Sequence, residues 1–499
     1  MLKLAKVFTN HMVLQRNKPI KIFGLADGEV RVSFDGETVF TKPENGKWVA
    51  ELSPHTHGGP YEIEISSGDE KIVLSDVLIG DVWIASGQSN MEQPLLFDLR
   101  GLDEAKRAYN ENIRFYTCSR QCHPTVKRPS WAFGWVFNEE EPWSVCNEKS
   151  SLYFSAIGYY VAKALNKETN IPIGVIAANK GATKIDVFVP EKAFETDEYK
   201  DYKKKYEEEK IPDDEAEGLY IDIAKQNSEC VKGYENKAEE YVRKMGTEAA
   251  TVKMAEIPRV ALSSLCKYHP DAPSMFYKVF IEQQLAPMSV CGVLWYQGES
   301  SRADLNYADK FKLMAKYWRE AFCDEKLPFY TVEIAPHNYP DGTVAAHLRM
   351  EQWRAAKITE YTYITSTRDF GDLLDIHPNK KAEVSKNIAN QILNYTYGIK
   401  KDCECASYKD FEIIGNKIHI SLYNDEGLFG WGDENMKICG EDGVFVTAKS
   451  EYKNGKLIVW HEDIKEPKNV RYCYDAYYQR GRYFNKAGLA LAPFTTELT

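Results

Sequence analysis

Between residues 20 and 74, apolar and polar positions alternate in short runs at 20–24, 30–34, 61–65 and 71–74. A period of two sends successive side chains to opposite faces of a pleat, so each run predicts a strand. Asp35-Gly36 and Asn45-Gly46 supply turn chemistry between them. Residues 1–75 therefore predict a β-sandwich portion at the N-terminus.

Beyond residue 76 the alternation gives way to solid apolar runs at 82–85, 112–118, 171–179, 290–296, 328–334 and 361–366. Between them lie segments of helical period at 152–168, 307–322, 345–360 and 381–393. Strands that are apolar on both faces, separated by amphipathic helices, predict an α/β domain over 76–400, with a mostly parallel sheet covered by helices on both sides. Residues 192–260 interrupt this order with dense mixed charge and strong helix formers. They predict a charged helical insertion of two or three helices, broken near Ile211-Pro212 and near Gly233. Runs at 411–423, 455–461 and 469–474 alternate again, so residues 401–499 predict a second β portion.

Candidate chemistry gathers where the strands end. The run 82–85 leads into Gly87-Gln88-Ser89-Asn90, a sharp polar turn that exposes a serine beyond a buried strand. Met91 stands where an α/β-hydrolase elbow would need glycine, which points away from that fold. A second strand ends in Gln297-Gly298-Glu299-Ser300, and an aspartate-rich turn after 361–366 carries Asp375-Ile376-His377-Pro378. A serine nucleophile needs a base, and the base needs a carboxylate that fixes its tautomer. Ser89, His377 and an aspartate supply those roles. Ligands of such sheets bind beyond the carboxyl ends of the strands, where Ser89, the Gly181 turn, Gln297 and His377 all fall. With only 10 histidines in 499 residues, one inside an acidic turn carries information.

These motifs, GDVWIASGQSNM, GVIAANKGATKIDVFVP, GVLWYQGESS and DFGDLLDIHPNKK in that order, resemble the sialate O-acetylesterase family of SGNH-type carbohydrate esterases. The resemblance spans most of the chain outside about 192–270. It implies an SGNH-hydrolase-like three-layer domain and a Ser-His-Asp acyl-enzyme mechanism that releases acetate. It also implies an oxyanion hole made of the Ser89 N–H, a glycine N–H that Gly181 would supply, and the side-chain amide of Gln297. Ala182 stands where the family usually has a second glycine. If that position is the donor, its N–H survives in alanine, but a positive φ would be strained. The acid is Asp375, two residues before His377, with Asp372 and Asp369 as alternatives. Gln88, Glu299 and Arg302 are candidates to hold the sugar, although Glu299 also suits bracing its own turn. Arg349 and Arg368 are further cations that could meet a sugar carboxylate or serve structure.

Composition narrows the partners. At 43% hydrophobic and 27% charged the chain is ordinary globular material. A net charge of −11 argues against nucleic acid and anionic membrane, and requires a local cation if the sugar is itself anionic. The 11 cysteines are odd in number and irregularly spaced, as reduced thiols are, and there is no C-x-x-C pair to suggest a metal site. No apolar leader or membrane-length segment stands in the sequence, so a cytoplasmic location is expected. The reading is a cofactor-free, metal-free acetylesterase acting on an acetylated glycan, sialate 9-O-acetyl groups first. The alternatives are an acetylesterase of neutral plant polysaccharide such as xylan or mannan, and a non-catalytic carbohydrate-binding protein. The charged insertion is expected to flank the cleft or to form a contact in a homo-oligomer.

Overall fold

The computed structural model describes residues 1–126, 141–230, 237–245, 260–430, 434–478 and 483–497. It is a mixed α/β protein with several sheets, some of them parallel. The chain forms two compact units. One comprises Met1–Gln297, Asp309–Phe329 and Thr359–Thr362, and the other Gly298–Ala308, Tyr330–Ile358 and Tyr363–Thr499.

In the first unit the alternating runs become strands. Ile20–Ala26 lies between Leu2–Leu4 and Lys47–Leu52 in an antiparallel sheet. Val30–Phe34 pairs with Glu37–Thr41 and Gly58–Ser67. Its valines and Phe34 are buried while Arg31 is exposed, as the period of two requires.

A single 18-residue strand, Glu70–Gly87, runs across the expected 75/76 boundary. Its first half pairs antiparallel with Gly58–Ser67 through register shifts on either side of Tyr61. Its second half becomes the centre of the α/β sheet. There it pairs in parallel with Ile173–Asn179 on one side and Gly292–Tyr296 on the other. Asn110–Thr117 and Glu141–Cys146 extend the sheet beyond Ile173–Asn179, the last pair antiparallel. Every residue of Ile173–Asn179 and Gly292–Tyr296 is buried, as expected of strands covered on both faces.

The helix Ala156–Thr169 begins at Ser155, whose Oγ accepts the Gly158 N–H at 3.1 Å, and ends at Asn170, which takes a left-handed φ of +56°. Helix Tyr307–Phe322 is fastened by the Trp318 indole N–H, which donates to the Phe188 carbonyl at 2.9 Å.

The charged insertion forms helices Lys200–Glu209, Asp213–Cys230 and Lys237–Met245, with the break at Ile211-Pro212; Gly233 lies outside the described residues. Lys200–Glu209 buries no side chain. Asp213–Cys230 does, and Ala216, Tyr220, Ile223 and Ala224 close a small core with Leu262 and Cys266. The insertion thus carries its own apolar cluster, despite its charge.

Strands Phe329–Val332 and Thr362–Thr365, which belong to the second unit from their second residues onward, are neighbours, and helices Val344–Ile358 and Lys381–Tyr395 follow them in the chain. Two four-stranded sheets form the C-terminal portion. One has the order Ser407–Ile414, Lys417–Tyr423, Lys456–Trp460, Lys449–Lys453. The other has the order Val446–Thr447, Met436–Cys439, Asn469–Tyr472, Phe494–Thr495. Ile418, Ile420, Leu457 and Val459 from the first share one buried cluster with Met436, Ile438, Val470 and Tyr472 from the second.

Candidate active site

The serine turn is fixed by its neighbours. Gly87 has φ +125°, and a Cβ there would stand 2.2 Å from the Tyr296 carbonyl oxygen, so only glycine fits against the adjacent strand. The Gln88 N–H donates to that same carbonyl at 2.9 Å. The chain then makes one helical turn, Ser89–Glu92. From Val77 to Asp98 every residue is buried except Ser89. Neither its hydroxyl nor its N–H has a hydrogen-bond partner among the described residues.

Two further elements reach this turn. The Lys180 N–H donates to the Gly87 carbonyl at 3.0 Å, and Asn179 Nδ2 donates to the Ala85 carbonyl at 3.0 Å. Gly181 is therefore brought beside the serine: a Cβ on it would lie 3.3 Å from Ser89 Cβ. Its N–H, expected at the oxyanion, donates instead to Glu92 Oε2. Gln297 is fully buried, and its Nε2 donates to Gln88 Oε1 at 3.2 Å and to the Thr183 carbonyl at 3.1 Å. In this state its amide bridges the two loops, and Gln88 is part of that bridge rather than of an open surface.

Ala182 follows with φ +61° and is exposed. A non-glycine residue in the left-handed region costs roughly 1–2 kcal/mol. Ala182→Gly is expected to raise unfolding stability by about 1 kcal/mol, read from urea unfolding midpoints. An unchanged or lowered midpoint would show that the alanine carries no strain.

The remaining candidates belong to the second unit. Glu299 is buried at the head of the short turn Glu299–Ser301. Arg302 is held rather than presented: Nε donates to Asp341 Oδ2 at 2.7 Å, Nη1 donates to the Glu299 carbonyl at 2.6 Å, and the guanidinium lies 4.6 Å from the Tyr339 ring centre. Arg349 and Arg368 serve structure. Arg349 is fully buried and donates to the Asp475 carbonyl, while Arg368 donates twice to Cys473 Sγ, at 3.1 and 3.2 Å.

In the acidic turn, Asp372 Oδ1 accepts the N–H groups of Leu374 and Asp375, at 2.8 and 3.0 Å. That carboxylate is used to shape the loop. Asp375 Oδ1 accepts the His377 N–H at 2.8 Å and lies 3.7 Å from His377 Nδ1. The acid and the imidazole are thus adjacent, but too far apart for a side-chain hydrogen bond in this state. Burial, with smaller contributions from the nearby charges of Lys381 and His337, pushes the His377 pKa down to about 3. The ring is neutral at ordinary pH and able to accept a proton.

Two residues beyond the candidates expected from the sequence organise these loops. Glu92 ties the Gly181 turn to the serine turn. Glu333 accepts from the Ser366 hydroxyl at 2.6 Å, the Thr367 N–H at 2.9 Å and the Trp353 indole at 2.6 Å, so it anchors the start of the segment leading to His377. Burial raises the Glu333 carboxyl pKa, while its hydrogen bonds oppose that rise. An acid inside the otherwise apolar run 328–334 is the sequence signal that could have singled it out.

A separate groove of about 1210 Å³ lies against Lys3–Lys6, Trp48, Phe194, Tyr206 and Tyr268, and none of the candidate residues lines it. Among the described residues there is no group of three or more His, Cys, Asp or Glu side chains placed to hold a metal ion. No described helix is long and apolar enough to cross a membrane.

Comparison with known proteins adds four findings. Residues 260–394 match the family described as "Carbohydrate esterase, sialic acid-specific acetylesterase"; this span includes Gln297, Glu299, Arg302, Asp375 and His377, but not Ser89. The chain is 24% identical to the sialate O-acetylesterase of Mus musculus over 367 residues, 67% of this chain and 60% of that enzyme. It is 24% identical to the Homo sapiens enzyme over 344 residues, 64% of this chain and 53% of that enzyme. The matched part thus spans between half and two thirds of these relatives' length. A solved carbohydrate acetylesterase from Xanthomonas citri shares the fold over 100% of both chains, with a TM-score of 0.77 at 23% identity. Residues 260–394 thus match the model of a sialic acid-specific acetylesterase family, and the chain is similar over 67% of its length to a sialate O-acetylesterase.

Proposed function

We propose that this chain is a carbohydrate O-acetylesterase with Ser89 as nucleophile, His377 as its general base and Asp375 as the acid that orients the imidazole. Attack on the acetyl carbonyl forms a tetrahedral oxyanion. The sugar hydroxyl leaves with the proton taken up by His377. Water then attacks the acetyl-serine, and acetate departs. The Ser89 N–H, the Gly181 loop and the Gln297 amide serve the oxyanion. The observation that carries this reading is the isolation of Ser89, the one partly exposed residue in a buried stretch, at the C-terminal end of a central parallel strand. The architecture that goes with it is a three-layer SGNH-type domain with β-sandwich portions at either end.

The first substrate in this reading is an O-acetylated sialic acid, as the names of the relatives suggest, with the glycerol side chain as the position that the sequence resemblance favours. One observation favours neutral acetylated xylan or mannan instead. Arg302, the candidate partner for a sugar carboxylate, already pairs with Asp341, so its charge is offset within the protein. A panel of 9-O-acetylated sialic acid and acetylated xylo- and manno-oligosaccharides, assayed for released acetate, decides between them. The expected result is the highest kcat/KM on the sialic acid. Faster release from the neutral sugars would move the substrate to plant polysaccharide, and no release from any member would remove the esterase reading.

A further inference from the structure

We propose that Glu92 is a positioning residue for the reaction: by taking up the Gly181 N–H, its carboxylate sets the Gly181-Ala182 peptide against the nucleophile turn and leaves the Ala182 N–H as the donor that this loop offers the oxyanion. The proposal rests on the reading of Ser89 as nucleophile. Glu92 lies three residues after Ser89 in the same helical turn, so its side chain is carried by the backbone that carries the nucleophile. It is 5% exposed, and burying a carboxylate is costly unless it is paired.

Its partners explain the placement. Oε2 accepts the Gly181 N–H, and a Cβ on Gly181 would come within 2.9 Å of that oxygen, so a side chain at 181 would press on this contact. Oε1 has no hydrogen-bond partner among the described residues and lies 4.0 Å from Arg120 Nη2. Arg120 in turn donates to the Asn179 carbonyl at 2.6 Å and to Asn179 Oδ1 at 2.8 Å. Acid, guanidinium and Asn179 thus grip the end of the Ile173–Asn179 strand and the turn that follows it.

The consequence for chemistry follows from counting donors. An N–H already given to a carboxylate is not open to a developing oxyanion. The next N–H along the loop, that of Ala182, has no hydrogen-bond partner among the described residues. The left-handed φ of Ala182 is what this exposed peptide requires, and holding such a conformation takes a fixed anchor on its N-terminal side. Glu92 is that anchor.

The test compares Glu92→Ala, Glu92→Asp and Glu92→Gln in the full chain, with p-nitrophenyl acetate as probe, and measures kcat, KM and the thermal midpoint. Glutamine keeps an acceptor oxygen at the same reach, so its kcat should stay within about fivefold of wild type. Alanine removes the acceptor and aspartate withdraws it by one methylene. Both should lower kcat roughly 10²-fold with KM within about threefold, the cost of misplacing a group by about an ångström. A merely structural role would move the midpoint and leave kcat of the folded fraction unchanged. If Glu92→Ala does not fold, the aspartate variant, which keeps the charge for Arg120, decides alone. A folded aspartate or alanine variant with kcat within fivefold of wild type overturns the proposal. Ser89→Ala is run beside them: full activity there would overturn the nucleophile assignment itself, whereas an inactive Ser89→Ala beside a fully active Glu92→Ala would overturn only the role of Glu92.

Discussion

Ser89→Ala is expected to lower acetate release by about 10⁴-fold or more while the thermal midpoint stays within a degree or two. The first half follows from the behaviour of serine triads, where loss of the nucleophile leaves only the catalysis supplied by binding and oxyanion stabilisation. The second half follows from this structure. The Ser89 hydroxyl makes no hydrogen bond among the described residues and its side chain is partly exposed, so its removal leaves no buried group unsatisfied. Ser155 is the matching control. Its Oγ donates to the Met91 carbonyl at 2.6 Å and accepts the Gly158 N–H at 3.1 Å, capping a helix in the same region. Ser155→Ala should lose about 1 kcal/mol of stability, the usual value of a cap, and keep most of its turnover. Acetate release and calorimetry on the two variants separate the roles. More than a tenth of wild-type activity in folded Ser89→Ala would sink the nucleophile assignment.

Elements set by local pattern were legible in the sequence. The helix expected at 307–322 is Tyr307–Phe322, and the solid apolar run at 290–296 contains the buried strand Gly292–Tyr296. The 75/76 boundary was not legible as a continuous strand. Asp76 takes φ +54° inside the strand, which nevertheless continues through it past irregular pairing opposite Tyr61. Arg114, which donates to the Asp76 carboxylate at 2.7 Å, helps to hold that kink. In the charged insertion, Ala216, Tyr220, Ile223 and Ala224 repeat at helical spacing, so its small core stood in the pattern beneath the charge.

The candidate site divides in the same way. Residue types at strand ends identified the serine turn and the acidic turn. What each side chain bonds to depends on segments far apart in sequence. Gly181 gives its N–H to a carboxylate 89 residues away, and Arg302 meets Asp341 39 residues on. No local rule could assign either bond. The Gln297 amide, which the resemblance gives to the oxyanion, spends its donors on Gln88 and Thr183 in this state. Use of that amide in catalysis would therefore require one of those bonds to be exchanged for the substrate.

The pH dependence offers the second large effect. A general base works in its neutral form, so the rate falls as pH drops through the pKa of the free enzyme's histidine. An ordinary imidazole would give an acid limb centred near pH 6.5. Burial and the charges of Lys381 and His337 place His377 at about 3 instead. The expected profile of kcat/KM on p-nitrophenyl acetate is therefore flat from about pH 7 down to about pH 5, where an unperturbed histidine would already have cost more than tenfold. The sign for stability is set by the same shift. Between about pH 6.5 and 3 the unfolded chain binds a proton at this histidine that the folded chain does not, so His377 makes folding less favourable as pH falls across that window. His377→Asn should relieve that pH dependence in urea unfolding while lowering kcat by about 10³-fold or more. A measured acid limb near pH 6.5 would mean that water or the Asp375 carboxylate solvates the imidazole in the free enzyme, and the buried, proton-free base would have to be given up.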